Sequence, residues 1–242
     1  MSNRQRGATV ASVDTGGPAV VRAERVTRCY RSGAAAVMAV RGVSALVAPQ
    51  ARIALTGPSG SGKTTLLHLL AGLDTPTAGV ISWPDAGEHP DAESERVGLV
   101  FQGPSLIPSL NVIENVRLPL LFAGHLETEA TTCAQGALHR LGLDALAAAV
   151  PDELSGGQAQ RVAIARVLAA APRLILADEP TARMDHSSAA RVTDVLIGAA
   201  DESDAALIVS THDPMIARRL PTVWTMRDGR LHISTDASRR SR

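Results

Sequence analysis

The sequence predicts an α/β fold built around a parallel β-sheet. Two observations carry this prediction. From residue 157 onward, segments with helical and strand patterning alternate. Near residue 60, a short apolar run passes through a glycine-rich turn straight into an apolar helix. A chain of 242 residues can bury such a core as one domain, or as a core with a subdomain, without a disulfide framework.

Taken in order, Val20–Tyr30 and Val40–Pro49 carry alternating or continuous β-formers, and Ala51–Thr56 is a short apolar run that stops at glycine; all three read as strands. Lys63–Leu70 is apolar-rich and closes at Gly72, a helix with a glycine just past its end. Gly79–Trp83 and Arg96–Phe101 read as strands separated by a polar loop. Leu110–Val150 is helical, with Ala and Leu at three- and four-residue spacing and Pro151 as its stop. Then come helix Gly157–Ala170, strand Leu174–Ala177, helix Ser187–Ala199, strand Ala206–Ser210 and helix Pro214–Leu220. Thr222–Arg227 and Arg230–Ile233 flank Asp228-Gly229, a hairpin turn.

Composition excludes several function classes. With 24 basic and 24 acidic residues, the chain lacks the electrostatic footprint of a general nucleic-acid binder. Its richest apolar run, Val162–Ala177, is broken by Arg166 and Arg173 and does not read as a membrane span. The first residues have arginines but no apolar block behind them, so 1–19 read as a disordered lead-in and not a signal peptide. Two cysteines far apart, Cys29 and Cys133, read as reduced thiols, and the expected location is the cytoplasm. Only one of the 24 basic residues is a lysine, Lys63. A lone ammonium among guanidinium groups marks a site that needs a compact point charge.

That lysine lies in Gly57-Pro58-Ser59-Gly60-Ser61-Gly62-Lys63-Thr64, which fits G-x-x-x-x-G-K-[ST] between a strand and a helix. Glycines let backbone N–H groups turn inward around phosphates, and the helix N-terminus adds partial positive charge. Lys63 then reaches the β and γ oxygens, and the Thr64 hydroxyl is placed for Mg²⁺. Composition alone predicts about one accidental match per thousand such chains. A phosphate loop needs an acidic partner for the metal at a neighbouring strand end, and Leu174-Ile175-Leu176-Ala177-Asp178-Glu179 supplies one. Asp178 is the metal carboxylate of this reading, and Glu179 the group that polarises a water for attack on the γ-phosphate.

Leu154-Ser155-Gly156-Gly157-Gln158, followed by AQRVAIARVL and the acidic strand, resembles the signature motif of ATP-binding cassette proteins, the ATPase subunits of ABC transporters. Read by itself, Ser155 is a good N-cap, and the glycines expose backbone N–H groups to an anion. The resemblance runs from about Val20 to His232 and implies a RecA-like P-loop NTPase core, an N-terminal antiparallel β-subdomain and an inserted helical subdomain at about 104–165. The cassette is expected over 20–234, followed by a solvated tail over 235–242.

Residue by residue, the resemblance implies the following roles. Gly57, Ser59, Gly60, Ser61, Gly62, Lys63, Thr64 and Thr65 hold ATP. Phe101-Gln102 resembles the Q-loop, whose glutamine touches Mg²⁺ or water and relays nucleotide state to an integral membrane permease docking nearby. In Ser210-Thr211-His212-Asp213, His212 resembles the switch histidine that contacts the γ-phosphate. Tyr30 stands where the family stacks an aromatic on adenine. Ser155, Gly157 and Gln158 close on ATP held by a second copy, in a head-to-tail dimer around two ATP, and Asp185 resembles the D-loop aspartate. Arg183 and Met184 depart from the usual D-loop, and Ala159 from the usual polar residue after the signature.

Pro108–Leu120 and Tyr30-Arg31-Ser32-Gly33 resemble the macrolide-exporter and lipoprotein-releasing branch, whose members drive a separate permease from the inner face of the cell membrane. The stretch Gly79–Gln102 is shorter than in that branch and nearer to some importers, so an importer ATPase stays open at this point. A soluble cassette protein of translation or repair fits less well, because neither a second cassette nor a coiled-coil insertion is present.

Overall fold

The computed structural model describes residues 18–32, 35–84, 97–182 and 184–235. Of the expected tails at 1–19 and 235–242, residues 1–17 and 236–242 fall outside the described residues, as do Gly33, the departure at Arg183 and most of the loop ahead of Arg96, while Thr235 closes the last strand and is no part of a tail.

Two sheets organise the rest. Strands β1 (Val21–Ser32), β2 (Ala35–Val47) and β4 (Ala78–Ser82) form an antiparallel sheet in the order β2-β1-β4. The larger sheet has the order β5-β6-β7-β3-β8-β9. Its members are β5 (Val97–Val100), β6 (Leu174–Asp178), β7 (Ala206–Ser210), β3 (Arg52–Thr56), β8 (Thr222–Arg227) and β9 (Arg230–Thr235). Five strands run parallel, and β9 returns antiparallel to β8. Asp228 and Gly229 take φ of 50° and 76°, the left-handed pair that a tight two-residue hairpin requires.

The parallel strands separate two apolar layers because successive side chains point to opposite faces. Ile175, Ala177, Leu207, Val209 and Ala54 face one cluster, which takes in the helices α2 (Val112–Phe122), α3 (Glu127–Arg140), α4 (Gly156–Ala169) and α5 (His186–Glu202). Leu174, Leu176, Ala206, Ile208, Ile53 and Leu55 face the other, with α1 (Lys63–Leu70) and the antiparallel sheet. Burial on both faces explains why β6 and β7 read as continuous apolar runs.

Several boundaries differ from the sequence expectation. Strand β2 starts at Ala35 instead of Val40, because its first residues pair with the end of β1. The region 110–150 divides into α2, α3 and a short 3₁₀ turn, Asp144–Leu146, and a second 3₁₀ turn, Pro151–Glu153, follows it. Helix α4 runs unbroken past residue 165 to Ala169. The final helix, α6, spans only Pro214–Ala217, with Arg218 as its C-cap.

Candidate functional site

Strands β3, β6 and β7 end side by side at one edge of the sheet, and the loops that leave them carry the chemistry. The loop after β3 is shaped by backbone from elsewhere. A Cβ on Gly57 would lie 2.2 Å from the carbonyl oxygen of Met226, and one on Gly62 would lie 2.1 Å from that of Ala39. Only glycine fits at either position, and both take positive φ. Gly229 in the β8–β9 hairpin donates its N–H to Ser61 O at 3.1 Å and accepts from Arg41 N at 2.8 Å, which braces the loop from behind.

Lys63, the first residue of α1, is almost fully buried. Its ammonium donates to Gly57 O at 2.8 Å and Pro58 O at 3.2 Å, and lies 3.8 Å from Glu179 Oε1. Thr64 donates its hydroxyl hydrogen to Asp178 Oδ2 at 2.7 Å. The neighbouring Ser61 Oγ is buried and has no partner among the described residues.

The β6 end is held by β7. Asp178 pairs with Ser210 in the parallel register, and the Ser210 hydroxyl donates to Asp178 Oδ1 at 2.5 Å. Ser210 Oγ itself accepts the backbone N–H of Glu179 at 2.9 Å. Glu179 has φ of +44°, a strained value for a residue with a Cβ, and strain of this kind gathers at functional sites. Its Oε2 lies 2.9 Å from Nδ1 of His212. Lys63, Thr64, Asp178, Glu179 and His212 thus form one connected group. Ser210 belongs to it and was not singled out from the sequence; the available signal was a polar residue closing an apolar strand in register with Asp178.

The other expected residues lie outside that network. Gln102 is exposed just beyond β5, and the carbonyl of its neighbour Phe101 accepts from Gln160 Nε2 of α4 at 3.0 Å. Ser155 caps α4 by accepting from Gln158 N, while Gln158 Oε1 accepts from Ser155 N at 2.8 Å, a reciprocal capping box. A Cβ on Gly156 or Gly157 would meet nothing within 4 Å. Asp185 caps α5, accepting from Ser187 Oγ at 2.6 Å and Ser188 N at 2.9 Å. These hydrogen bonds, that from the Ser187 hydroxyl first, hold its carboxyl well below the usual carboxylate range. Tyr30, on β1, donates its hydroxyl to Asp74 Oδ2 at 2.7 Å. Among the described residues, none of these groups hydrogen-bonds to the Lys63–Asp178 cluster.

A glycine loop opening a helix, an ammonium within it, and two carboxylates at the adjacent strand end define a nucleoside triphosphatase of the P-loop class. The chain belongs to the ABC transporter family, whose sequence model matches residues 40–182. It is an ATPase, the nucleotide-binding subunit of a transporter, and it binds ATP. It is 38% identical over 220 residues to the lipoprotein-releasing system ATP-binding protein LolD of Legionella pneumophila (strain Paris), covering 88% of this chain and 97% of that one. With LolD of Chromohalobacter salexigens the identity is 39% over 219 residues, covering 88% and 92%. Among solved structures, the dimeric post-hydrolysis state of the ATP-binding cassette MJ0796 bound to ADP and Pi superimposes with a TM-score of 0.82 at 33% identity, covering 89% of this chain and 98% of that one. The cbiO1 subunit of the cbiONQ transporter from Clostridium perfringens gives 0.77 at 26% identity, covering 90% and 89%.

Proposed function

We propose that two copies of the chain close head to tail around two ATP and drive a separate permease of the lipoprotein-releasing kind from the cytoplasmic face of the membrane. One observation carries the dimer. Lys63, Glu179 and His212 gather at the strand edge, while at the start of α4 a Cβ on either signature glycine, Gly156 or Gly157, would meet nothing within 4 Å among the described residues. A helix N-terminus opened by bare glycines suits the phosphates of a nucleotide held by a second copy. The partner class follows from the LolD relatives, and no helix among the described residues is long and apolar enough to cross a membrane.

The donor set fits Mg²⁺: a hydroxyl and a carboxylate in contact, both hard oxygen ligands, with phosphate oxygens to complete the shell. Thr64 and Asp178 would hold the ion, with Gln102 reaching it from the loop that follows β5, and the ion would neutralise charge on the β and γ oxygens. Lys63 exchanges the carbonyls of Gly57 and Pro58 for phosphate oxygens, which are charged and so stronger acceptors. Glu179 takes the proton of the attacking water, and His212 holds that carboxylate through Nδ1. Tyr30 offers its ring to the base, and Asp185 lies at the facing surface. Gln102, with exposed Phe101 and Ile107 on either side of it, is where the permease docks.

The test is Glu179→Gln with ATP and Mg²⁺. The variant is expected to bind ATP, stop hydrolysing it and accumulate as a dimer in light scattering, and to bring down an integral membrane protein from detergent-solubilised membranes. A monomer at micromolar protein overturns the dimer, and capture of soluble partners alone overturns the transporter assignment.

A further inference from the structure

Tyr30 is held by two residues that no motif pointed to. Its hydroxyl donates to Asp74 Oδ2, and the guanidinium carbon of Arg28 lies 4.7 Å from its ring centroid, a cation–π contact. Arg28 in turn grips both oxygens of the same carboxylate, Nε to Oδ2 at 2.9 Å and a terminal nitrogen to Oδ1 at 2.6 Å. Phenol, guanidinium and carboxylate therefore close into a ring of contacts. Asp74 is 17% exposed and Arg28 25%, so this pair is partly screened from water, whereas Tyr30 keeps 40% of its surface open.

Where Asp74 sits gives the arrangement its meaning. It lies in the turn that leaves α1, the helix whose first residue is Lys63. The same turn is stitched to β1 twice more, by Thr77 N to Thr27 O at 2.7 Å and by Cys29 N to Thr77 Oγ1 at 3.0 Å. An eight-residue helix spans about 12 Å. Helix α1 is thus a rigid spacer, with the phosphate loop at one end and the grip on the tyrosine at the other.

We propose that Asp74, backed by Arg28, is a positioning residue for nucleotide recognition. It locks the Tyr30 ring at a set separation from the phosphate loop, so that base and phosphates are taken up as one rigid unit. The proposal rests on the reading that Tyr30 stacks on the base. The physical gain is preorganisation: a ring already ordered by a hydrogen bond and a stacked guanidinium loses little rotamer freedom when a base settles on its open face.

The experiment measures the affinity of the full chain for ATP and for inorganic tripolyphosphate, which carries the phosphates without a base. Because Tyr30 is the only tyrosine, 3-fluorotyrosine labelling places a single ¹⁹F resonance on the ring itself. Asp74→Ala is expected to weaken ATP about tenfold, leave tripolyphosphate affinity unchanged and shift the resonance. Asp74→Asn, which keeps an oxygen acceptor, is expected to recover part of the loss. Tyr30→Phe tests the same bond without touching the carboxylate, and combining it with Asp74→Ala should add little. Tyr30→Ala weakening ATP while Asp74→Ala and Tyr30→Phe do not would overturn the positioning role. Equal losses of ATP and tripolyphosphate in Asp74→Ala would overturn it too, by tracing the effect to α1 alone. Unchanged ATP affinity in Tyr30→Ala would sink the stacking reading beneath it.

Discussion

Ser210 bridges the two carboxylate residues of the site: its hydroxyl donates to Asp178 Oδ1 at 2.5 Å and accepts the Glu179 N–H at 2.9 Å. The residue is fully buried, so its removal strands a carboxylate oxygen and a backbone donor away from water. Ser210→Ala should lower the unfolding free energy by about 1–3 kcal/mol. It should also slow ATP hydrolysis by about tenfold or more, since each 1.4 kcal/mol in the barrier is a factor of ten. Chemical denaturation and steady-state hydrolysis check the two parts separately.

Asn115 is equally enclosed. Its amide oxygen accepts from Ile107 N at 2.7 Å, and its nitrogen donates to Ile107 O, Leu110 O and Asn111 O at 2.9 to 3.1 Å. It pins the segment that follows Gln102 onto α2. Asn115→Leu should cost about 3 kcal/mol or more of stability through the stranded backbone groups. Limited proteolysis should then cut within 103–110 well before the sheet unfolds.

Asp185 supplies a pH dependence with a defined sign. Its carboxyl is depressed in the folded chain by the Ser187 hydroxyl and by Ser188, so the stability it contributes is fully present above the unfolded carboxylate value and fades as pH falls below roughly 4. Asp185→Asn keeps a capping oxygen but removes the charge. The stability gap between wild type and Asp185→Asn should be widest near neutrality and close on acidification, as read from urea midpoints at a series of pH values.

The sheet was legible because burial on both faces writes itself as unbroken apolar runs, and the bounds of α1 could be read directly from Lys63 and the glycine past its end. The phosphate loop was legible for a similar reason: its chemistry lies in eight consecutive residues. Relationships between distant residues left weaker traces. Nothing in the spacing of Tyr30 and Asp74, 44 residues apart, marks them as partners. Nor does the sequence around Gly57 reveal that the carbonyl of Met226 excludes every larger side chain. Ser155 and Asp185 were expected at an interface, and within one chain they act as helix caps. The two uses are compatible, because a cap fixes the backbone that a second molecule then meets.

The brace behind the phosphate loop has a consequence for biosynthesis. Met226 and Gly229 belong to the last hairpin of the described chain, yet they contact Gly57 and Ser61 near its beginning. A nascent chain that has emerged only as far as the signature helix already holds Lys63 and Thr64 but not the backbone that shapes their loop. The brace is therefore complete only after the final strands have left the ribosome, and a chain cut short before Thr222 lacks the backbone that closes on Gly57 and Ser61.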